Sequence, residues 1–150
     1  QKGAYLFLCA SARKLKASKP LTNECKPIPE EQTMKNYTKT NIGNETRVEL
    51  HDKLALTGAE VSINQLPAGA GVPFVHAHQK NEEIYGIVAG AGKAVIDGEE
   101  VALAAGDWLK VAPAAKRQFS AAADTGITYI CIQVKENSLG GFTAEDAIVY

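Results

Sequence analysis

The chain of 150 residues is long enough for one domain with a sizeable buried core. Its hydrophobic content of 45% and charged content of 22% are ordinary for a globular protein, and its net charge of −1 gives no electrostatic reason to expect a nucleic-acid or membrane partner. No apolar run approaches the about 20 residues that a membrane-spanning helix needs. The three widely spaced cysteines, Cys9, Cys25 and Cys131, predict no disulfide framework and favour a reducing, cytoplasmic compartment.

Residues 1–33 differ in composition from the rest and are predicted to form an N-terminal arm or extension. A short apolar run at residues 4–10 precedes a lysine-rich stretch, which is the reverse of the order in a secretory signal. One interpretation is an ordered arm that adds a strand to the sheet of a partner subunit. Another is an accidental extension before Met34, the only methionine of the chain. We favour an arm that acts in assembly, and we place a single domain at residues 34–150.

From residue 48 onward, short apolar segments alternate with turn residues, and no long helical periodicity occurs. The dipeptide Asp97-Gly98 predicts a two-residue hairpin with a type I′ turn, and the glycines at 90 and 92 predict a bend. Short strands at this spacing predict an all-β antiparallel sandwich or small barrel. The main predicted strands are residues 59–66, 84–89, 93–96, 99–103, 108–111, 118–120 and 127–134, and residues 143–146 predict a short helical turn.

A histidine pair and a nearby carboxylate are the strongest chemical signal in the chain. His76 and His78 are two residues apart, so a strand there directs both imidazoles to one face, about 6–7 Å apart along the chain. A polar linker at residues 79–81 then returns the chain in an antiparallel strand that begins near Glu82 and Glu83. Alternation allows only one of these two carboxylates to face the histidines. Two histidines and one carboxylate that converge can hold a divalent metal with positions left open for substrate.

The segment from His76 to Gly90 has the spacing H-x-H-x4-E-x6-G, which resembles the first motif of the cupin family. The resemblance selects Glu83 as the third ligand. It implies an antiparallel jelly-roll β-sandwich with a cavity between its sheets, and it covers residues 61–134. The second cupin motif is degraded, because the interval from Gly106 to Pro113 is one residue too long and an alanine replaces a glycine at position 115. Gln118 stands where the family has its third histidine.

The resemblance also implies roles for other side chains near the cavity. Gln118 is expected to be a weak fourth metal donor, or to hydrogen-bond a bound water or substrate. Arg117 either clamps a carboxylate or phosphate at the cavity mouth or, like Lys116, is a solvated loop cation. Tyr85 shares the strand parity of Glu83, so its hydroxyl faces the cavity or it is an ordinary core aromatic. Asn64 or Gln65 presents one amide to the pocket, and we assign Gln65. His51 and Trp108 are expected to be a surface residue and a packing residue.

A small cupin of this kind is expected to bind a small polar or anionic organic molecule beside a divalent iron, manganese, nickel or zinc ion. Tyr85 and Gln118 are the candidate catalytic residues of a metal-dependent dioxygenase, isomerase or lyase. The alternative is a non-catalytic cupin that binds a small metabolite, with the metal absent or structural. Fold alone does not decide between these functions. The family resemblance further implies a homodimer.

Overall fold

The computed structural model describes residues 36–140 and 146–150, so the predicted arm at 1–33 and nearly all of the predicted turn at 143–146 lie outside the described residues. The prediction of an all-β antiparallel fold is confirmed. No helix within the described part of the chain is long and apolar enough to cross a membrane. The elements are β1 (Arg47–Glu49), α1 (His51–Leu54), β2 (Glu60–Leu66), β3 (Asn81–Ile96), β4 (Glu99–Ala104), β5 (Trp108–Val111), β6 (Arg117–Ala121) and β7 (Ile127–Lys135).

Strand β3 belongs to both sheets of the sandwich. Its first half pairs with β7 and β5, and β7 continues through β2 to β1. Its second half pairs with β4 and β6. The predicted bend at residues 90–92 therefore lies inside one 16-residue strand and does not separate two strands. The strand passes from one sheet to the other next to a bulge between Ile87 and Ala89.

Gly90 stands where β3 passes between the sheets, and two features require a glycine at this position. Its φ of +77° lies in the left-handed region, which disfavours residues that carry a Cβ atom. A Cβ atom at this position would also lie only 1.8 Å from the carbonyl oxygen of Gly126. The glycine thus brings the start of β7 against the corner of β3, and the two sheets close over one another.

The predicted hairpin at Asp97-Gly98 is confirmed. The two residues have φ values of +49° and +93°, and a type I′ turn requires positive φ at both central positions. The turn sets the register of the hairpin, in which Ile96 pairs with Glu99. This register fixes which side chains of β3 and β4 point into the sandwich.

The core between the sheets is aromatic at its centre. Tyr85, Phe119 and Tyr129 are all buried, and their ring centroids lie 4.3–5.9 Å apart. Aliphatic side chains such as Ile87, Leu103 and Ile127 fill the space on one side of this group. On the other side the inner face becomes polar, and a cavity opens there.

The prediction that His76 and His78 lie on a strand paired with the Glu83 strand is wrong. The segment between β2 and β3, residues 67–80, is a loop that follows β6 through isolated bridges at Gly71 and His76 and through hydrogen bonds at Ala70 and Val72. The His76 N–H donates to the Arg117 carbonyl at 3.1 Å, and the Arg117 N–H donates back at 2.8 Å. Glu83 lies opposite β5 and β7, not opposite the histidines. Pro67, Pro73 and the two glycines and two alanines between them limit strand formation in this segment.

Candidate metal centre

Two histidines meet in the cavity wall although they are not on a regular strand. The bridge to β6 holds the backbone of His76 extended, and the His78 N–H donates to the Pro113 carbonyl at 2.8 Å. An extended backbone places side chains two residues apart on the same face. The two imidazole rings are consequently neighbours, with centroids 5.3 Å apart and planes nearly perpendicular.

Glu83, and not Glu82, faces the histidines. Its side chain points inward from the start of β3 and is only 3% exposed, whereas Glu82 points outward and pairs with Lys110 at 2.7 Å. Glu83 Oε1 lies 3.0 Å from His78 Nε2, and Oε2 lies 3.9 Å from His76 Nε2. The parity of β3 thus settles the choice that the sequence alone left open.

These three residues fit one divalent metal ion. Each offers one ligand atom, and the three atoms lie within 4.8 Å of one another. Two imidazole nitrogens and one carboxylate oxygen are a donor set that binds iron, manganese, nickel or zinc. His76 Nδ1 is buried without a hydrogen-bond partner in the described structure. Metal-binding imidazoles are usually oriented by a hydrogen bond from their second nitrogen, and His76 has no such partner among the described residues.

Gln118 does not lie with this donor set. On β6 the side chains of Arg117, Phe119 and Ala121 are buried in the sandwich, so Gln118 points the opposite way. Its amide donates to the Val72 carbonyl at 2.8 Å, and it lines a separate surface hollow beside Val95 and Asp97. The expectation that Gln118 is a fourth metal ligand or a catalytic residue is corrected for this reason.

Arg117 takes the inward position instead. The expectation that it lies at the cavity mouth or in solvent is wrong, because it is 0% exposed. Its guanidinium donates to three backbone carbonyls, those of Ala112, Pro113 and Ala115, at 2.6–3.3 Å. Its Nε lies 3.0 Å from Glu83 Oε2, although the N–H is not aligned for a hydrogen bond. The contact is an ion pair by proximity, and Arg117 is the counter-ion of Glu83.

Two side chains that the sequence did not single out also hold Glu83. Gln133 on β7 donates from Nε2 to Glu83 Oε1 at 3.1 Å and lies 3.2 Å from His78 Nε2. Cys131, also on β7, donates its thiol to the same oxygen at 3.6 Å. Alternation along β7 places both residues on the inner face with Tyr129. Only the pairing of β7 with β3 brings them to Glu83, and no local pattern encodes that pairing.

The surroundings favour the charged form of Glu83 and the protonated forms of Tyr85 and Cys131. Burial alone raises the pKa of Glu83, but hydrogen bonds from Tyr85 and Gln133 and the charges of His78 and Arg117 lower it overall below its ordinary value of 4.5. Burial raises the pKa of Tyr85, and its hydroxyl donates to Glu83 Oε2 at 2.5 Å. Burial, together with the Glu83 carboxylate, raises the pKa of the Cys131 thiol to about 12.

The pKa shift of His76 favours the neutral form, which binds metals. Burial lowers its pKa below the ordinary value of 6.5, and this effect exceeds the opposing attraction of the Glu83 carboxylate. An imidazole coordinates through an unprotonated nitrogen, so a lowered pKa reduces proton competition near neutral pH. The partly buried environment of His76 therefore favours ligation.

A cavity of about 350 Å³ opens beside the three candidate ligands. Phe74, Phe119 and Tyr129 form an aromatic part of its wall. The wall from β1 and β2 is polar, with Arg47 donating to Asn64 Oδ1 at 2.6 Å and Asn64 donating to Ser62 Oγ at 3.0 Å. Acidic side chains, Glu49 and Glu60, lie at the same wall.

Tyr85 lines this cavity, which agrees with its predicted parity. The expected placement of Gln65 is wrong, because Gln65 is exposed on the outer face of β2 and Asn64 lines the cavity. Trp108 is 66% exposed and covers Gly86 on the outer face of the sheet, where a Cβ atom would lie 2.7 Å from its ring. His51 is a surface residue, as expected.

An antiparallel β-sandwich with two histidines and a glutamate together in its cavity defines a class of small β-proteins with a candidate metal site. The family model described as a cupin domain matches residues 63–133. The chain is also 63% identical to a cupin protein from Bacteroides fragilis, with a TM-score of 0.75 over 78% of this chain and 99% of that one. The chain therefore belongs to the cupin family, and its predicted jelly-roll fold is confirmed.

More distant structures share the fold alone. A sugar phosphate isomerase of a cupin superfamily from Silicibacter pomeroyi is 23% identical, with a TM-score of 0.54 over 60% of each chain. A Cupin 2 conserved barrel domain protein from Salinispora arenicola is 20% identical, with a TM-score of 0.54 over 60% of this chain and 75% of that one. Comparison with curated proteins found no match.

Proposed function

We propose that this cupin holds a divalent metal ion through His76, His78 and Glu83 and binds a small polar or anionic organic molecule beside it. The observation that carries the proposal is the convergence of these three donors within 4.8 Å at the end of a cavity. The cavity volume of about 350 Å³ is at the small end of the range for ligand pockets, which favours a small molecule. Iron, manganese, nickel and zinc all suit the donor set.

Each side chain around the cavity has a proposed part in binding or positioning. A bound metal would supply Lewis acidity or, if redox-active, oxygen activation. Tyr85 and Gln133 donate to opposite oxygens of Glu83 and hold its carboxylate in one orientation. Arg47 and Asn64 offer a cation and an amide to a bound anion, and the aromatic wall excludes water from the apolar part of a ligand. This arrangement supports a dioxygenase, an isomerase or a lyase without choosing among them.

A metal measurement with a matched pair of histidine variants tests the proposal. Protein purified without added metal is dialysed against limiting Ni²⁺ or Mn²⁺, and bound metal is measured by mass spectrometry. We expect His76→Ala to lose metal and His51→Ala to retain it, because His51 is exposed on α1 outside the cavity. Equal metal content in the two variants would exclude the proposed centre.

The ion pair between Arg117 and Glu83 favours a second candidate, a non-catalytic cupin that binds a small metabolite without metal. Arg117 compensates the charge of Glu83, so the negative charge of Glu83 is balanced in the absence of a metal ion. If chelated protein binds a small carboxylate as tightly as metal-loaded protein does, this candidate replaces the first. Calorimetric titration of both forms with the same carboxylate makes the comparison.

We also propose that the chain forms a homodimer in a reducing, cytoplasmic compartment. The outer face of β2, β3 and β7 carries a half-buried apolar group that includes Ile84, Ile130 and Ile132, and such a face suits a symmetric partner. Cys131 is a free buried thiol, which suits a reducing compartment. Light scattering during size-exclusion chromatography tests the dimer, and a monomeric mass would contradict it.

A further inference from the structure

We propose that the buried Arg117 makes metal binding at this centre depend on a co-bound anion, so that the metal and a small chelating carboxylate bind together. The inference rests on the proposed function and names the class of its ligand. It follows from the fixed position of one guanidinium, from the charge of the centre and from the polar wall of the cavity.

Arg117 cannot leave the centre when a metal arrives. Its two terminal nitrogens donate hydrogen bonds to three backbone carbonyls, and no part of the side chain reaches solvent. Guanidinium groups remain protonated in proteins, so the positive charge is permanent. The backbone of the loop before β6 therefore fixes one positive charge 3.0 Å from a carboxylate oxygen that must also serve the metal.

The charge of the centre differs from that of an ordinary site with two histidines and one carboxylate. In the ordinary site a divalent ion leaves one net positive charge, because the carboxylate neutralises half of the ion. Here Arg117 already neutralises Glu83, so the same ion leaves two positive charges in a largely buried place. Like charges at this depth repel strongly, since water screens them poorly. A bare metal is consequently bound weakly, and an anion that neutralises it is bound well.

The cavity can supply that anion with further partners. Arg47 on β1 hydrogen-bonds the buried Asn64 and also pairs with Glu49 at 2.6 Å, and these residues line the same cavity as the two histidines. A small carboxylate that chelates the metal through two oxygens can extend towards Arg47 and Asn64. The ligand class is thus a small carboxylate with a second oxygen donor, such as a dicarboxylate or a hydroxy or oxo acid.

Thermodynamic linkage makes the coupling measurable from either side. The factor by which the anion tightens metal binding equals the factor by which the metal tightens anion binding. Oxalate is a suitable probe because it is the smallest chelating dicarboxylate. Ni²⁺ affinity is measured by equilibrium dialysis with and without saturating oxalate in a buffer that holds no other chelator, and free Ni²⁺ in the protein-free compartment is corrected for the nickel–oxalate complexes.

We expect oxalate to tighten Ni²⁺ binding by about tenfold or more in the wild-type protein, within the usual range of coupling between two ligands. Arg117→Met should tighten Ni²⁺ binding without oxalate by about tenfold and weaken the oxalate effect, because the repulsive charge is gone. Lys116→Met is the matched control, since it removes the neighbouring exposed cation and should leave both affinities unchanged.

Failure of this inference can be told apart from failure of the proposed function. If His76→Ala abolishes Ni²⁺ binding while oxalate leaves the wild-type affinity unchanged, the metal centre stands and the coupling is refuted. If His76→Ala binds Ni²⁺ as the wild type does, the centre itself is refuted and the coupling with it. The wild-type oxalate measurement needs no folded Arg117 variant, so it decides the question by itself.

Discussion

Replacing Glu83 with glutamine tests the central electrostatic feature of the structure. Glu83→Gln keeps the size of the side chain, but it removes the negative charge and leaves one acceptor oxygen where Tyr85 and Gln133 donate to two. Arg117 would then be a buried cation with no counter-ion among the described residues. We expect the metal-free protein to lose a large part of its stability.

The size of the loss follows from the geometry. Two unit charges 3.0 Å apart attract by about 5.5 kcal/mol at an effective dielectric constant of about 20. Removal of one partner of a buried ion pair typically costs about 3–5 kcal/mol, and both side chains here are almost fully buried. The whole free energy of unfolding of a domain this size is only about 5–15 kcal/mol, so a loss of about 3–5 kcal/mol is easily measured.

Urea unfolding of chelator-treated protein at neutral pH measures the loss. Glu82→Gln is the matched control, because it makes the same chemical change one residue away in a solvent-accessible pair with Lys110 and should have a much smaller effect. Combining Glu83→Gln with Arg117→Met should recover part of the stability, since it removes the buried cation that Glu83→Gln leaves without a counter-ion. Glu83→Gln costing no more than Glu82→Gln would refute the assignment of Arg117 as a buried counter-ion.

Three further outcomes are expected. Gly90→Ala should lower the free energy of unfolding by about 2–5 kcal/mol in denaturant titrations, because it adds an overlap to the strain of positive φ; Gly98→Ala has positive φ but open space around it, and it should cost only about 1–2 kcal/mol. In metal titrations, Gln133→Ala should weaken binding at the proposed centre, whereas Gln118→Ala should not, because only Gln133 contacts Glu83; equal effects would contradict this placement. Because the folded pKa of Glu83 is lowered, its contribution to stability should be fully present above about pH 4.5 and lost as the pH falls through the folded pKa. The free energy of unfolding of the metal-free wild type should therefore decrease more steeply with falling pH than that of Glu83→Gln, as measured by denaturant titrations at several acidic pH values.

Several features could be predicted from the sequence because they depend on neighbours along the chain. The Asp97-Gly98 hairpin follows from the φ values that only a few residues tolerate. The shared face of His76 and His78 follows from any extended backbone, so it held even though the predicted strand did not form. The antiparallel class follows from short alternating segments between turn residues. The choice of Glu83 needed the family spacing in addition, since alternation excluded one carboxylate without saying which.

Tertiary structure decided that Arg117, and not Gln118, lies beside Glu83 at the candidate metal centre. A shift of one residue turns a side chain from one face of a sheet to the other, so Arg117 and Gln118 exchange roles with the register of β6 against β3. That register depends on a pairing between segments some twenty residues apart and on the length of the loop before β6, neither of which has a local signature. Gln133 reaches Glu83 for the same reason, through a pairing that spans 50 residues. Local sequence thus determined which residues can bind, and long-range strand pairing determined which of them meet.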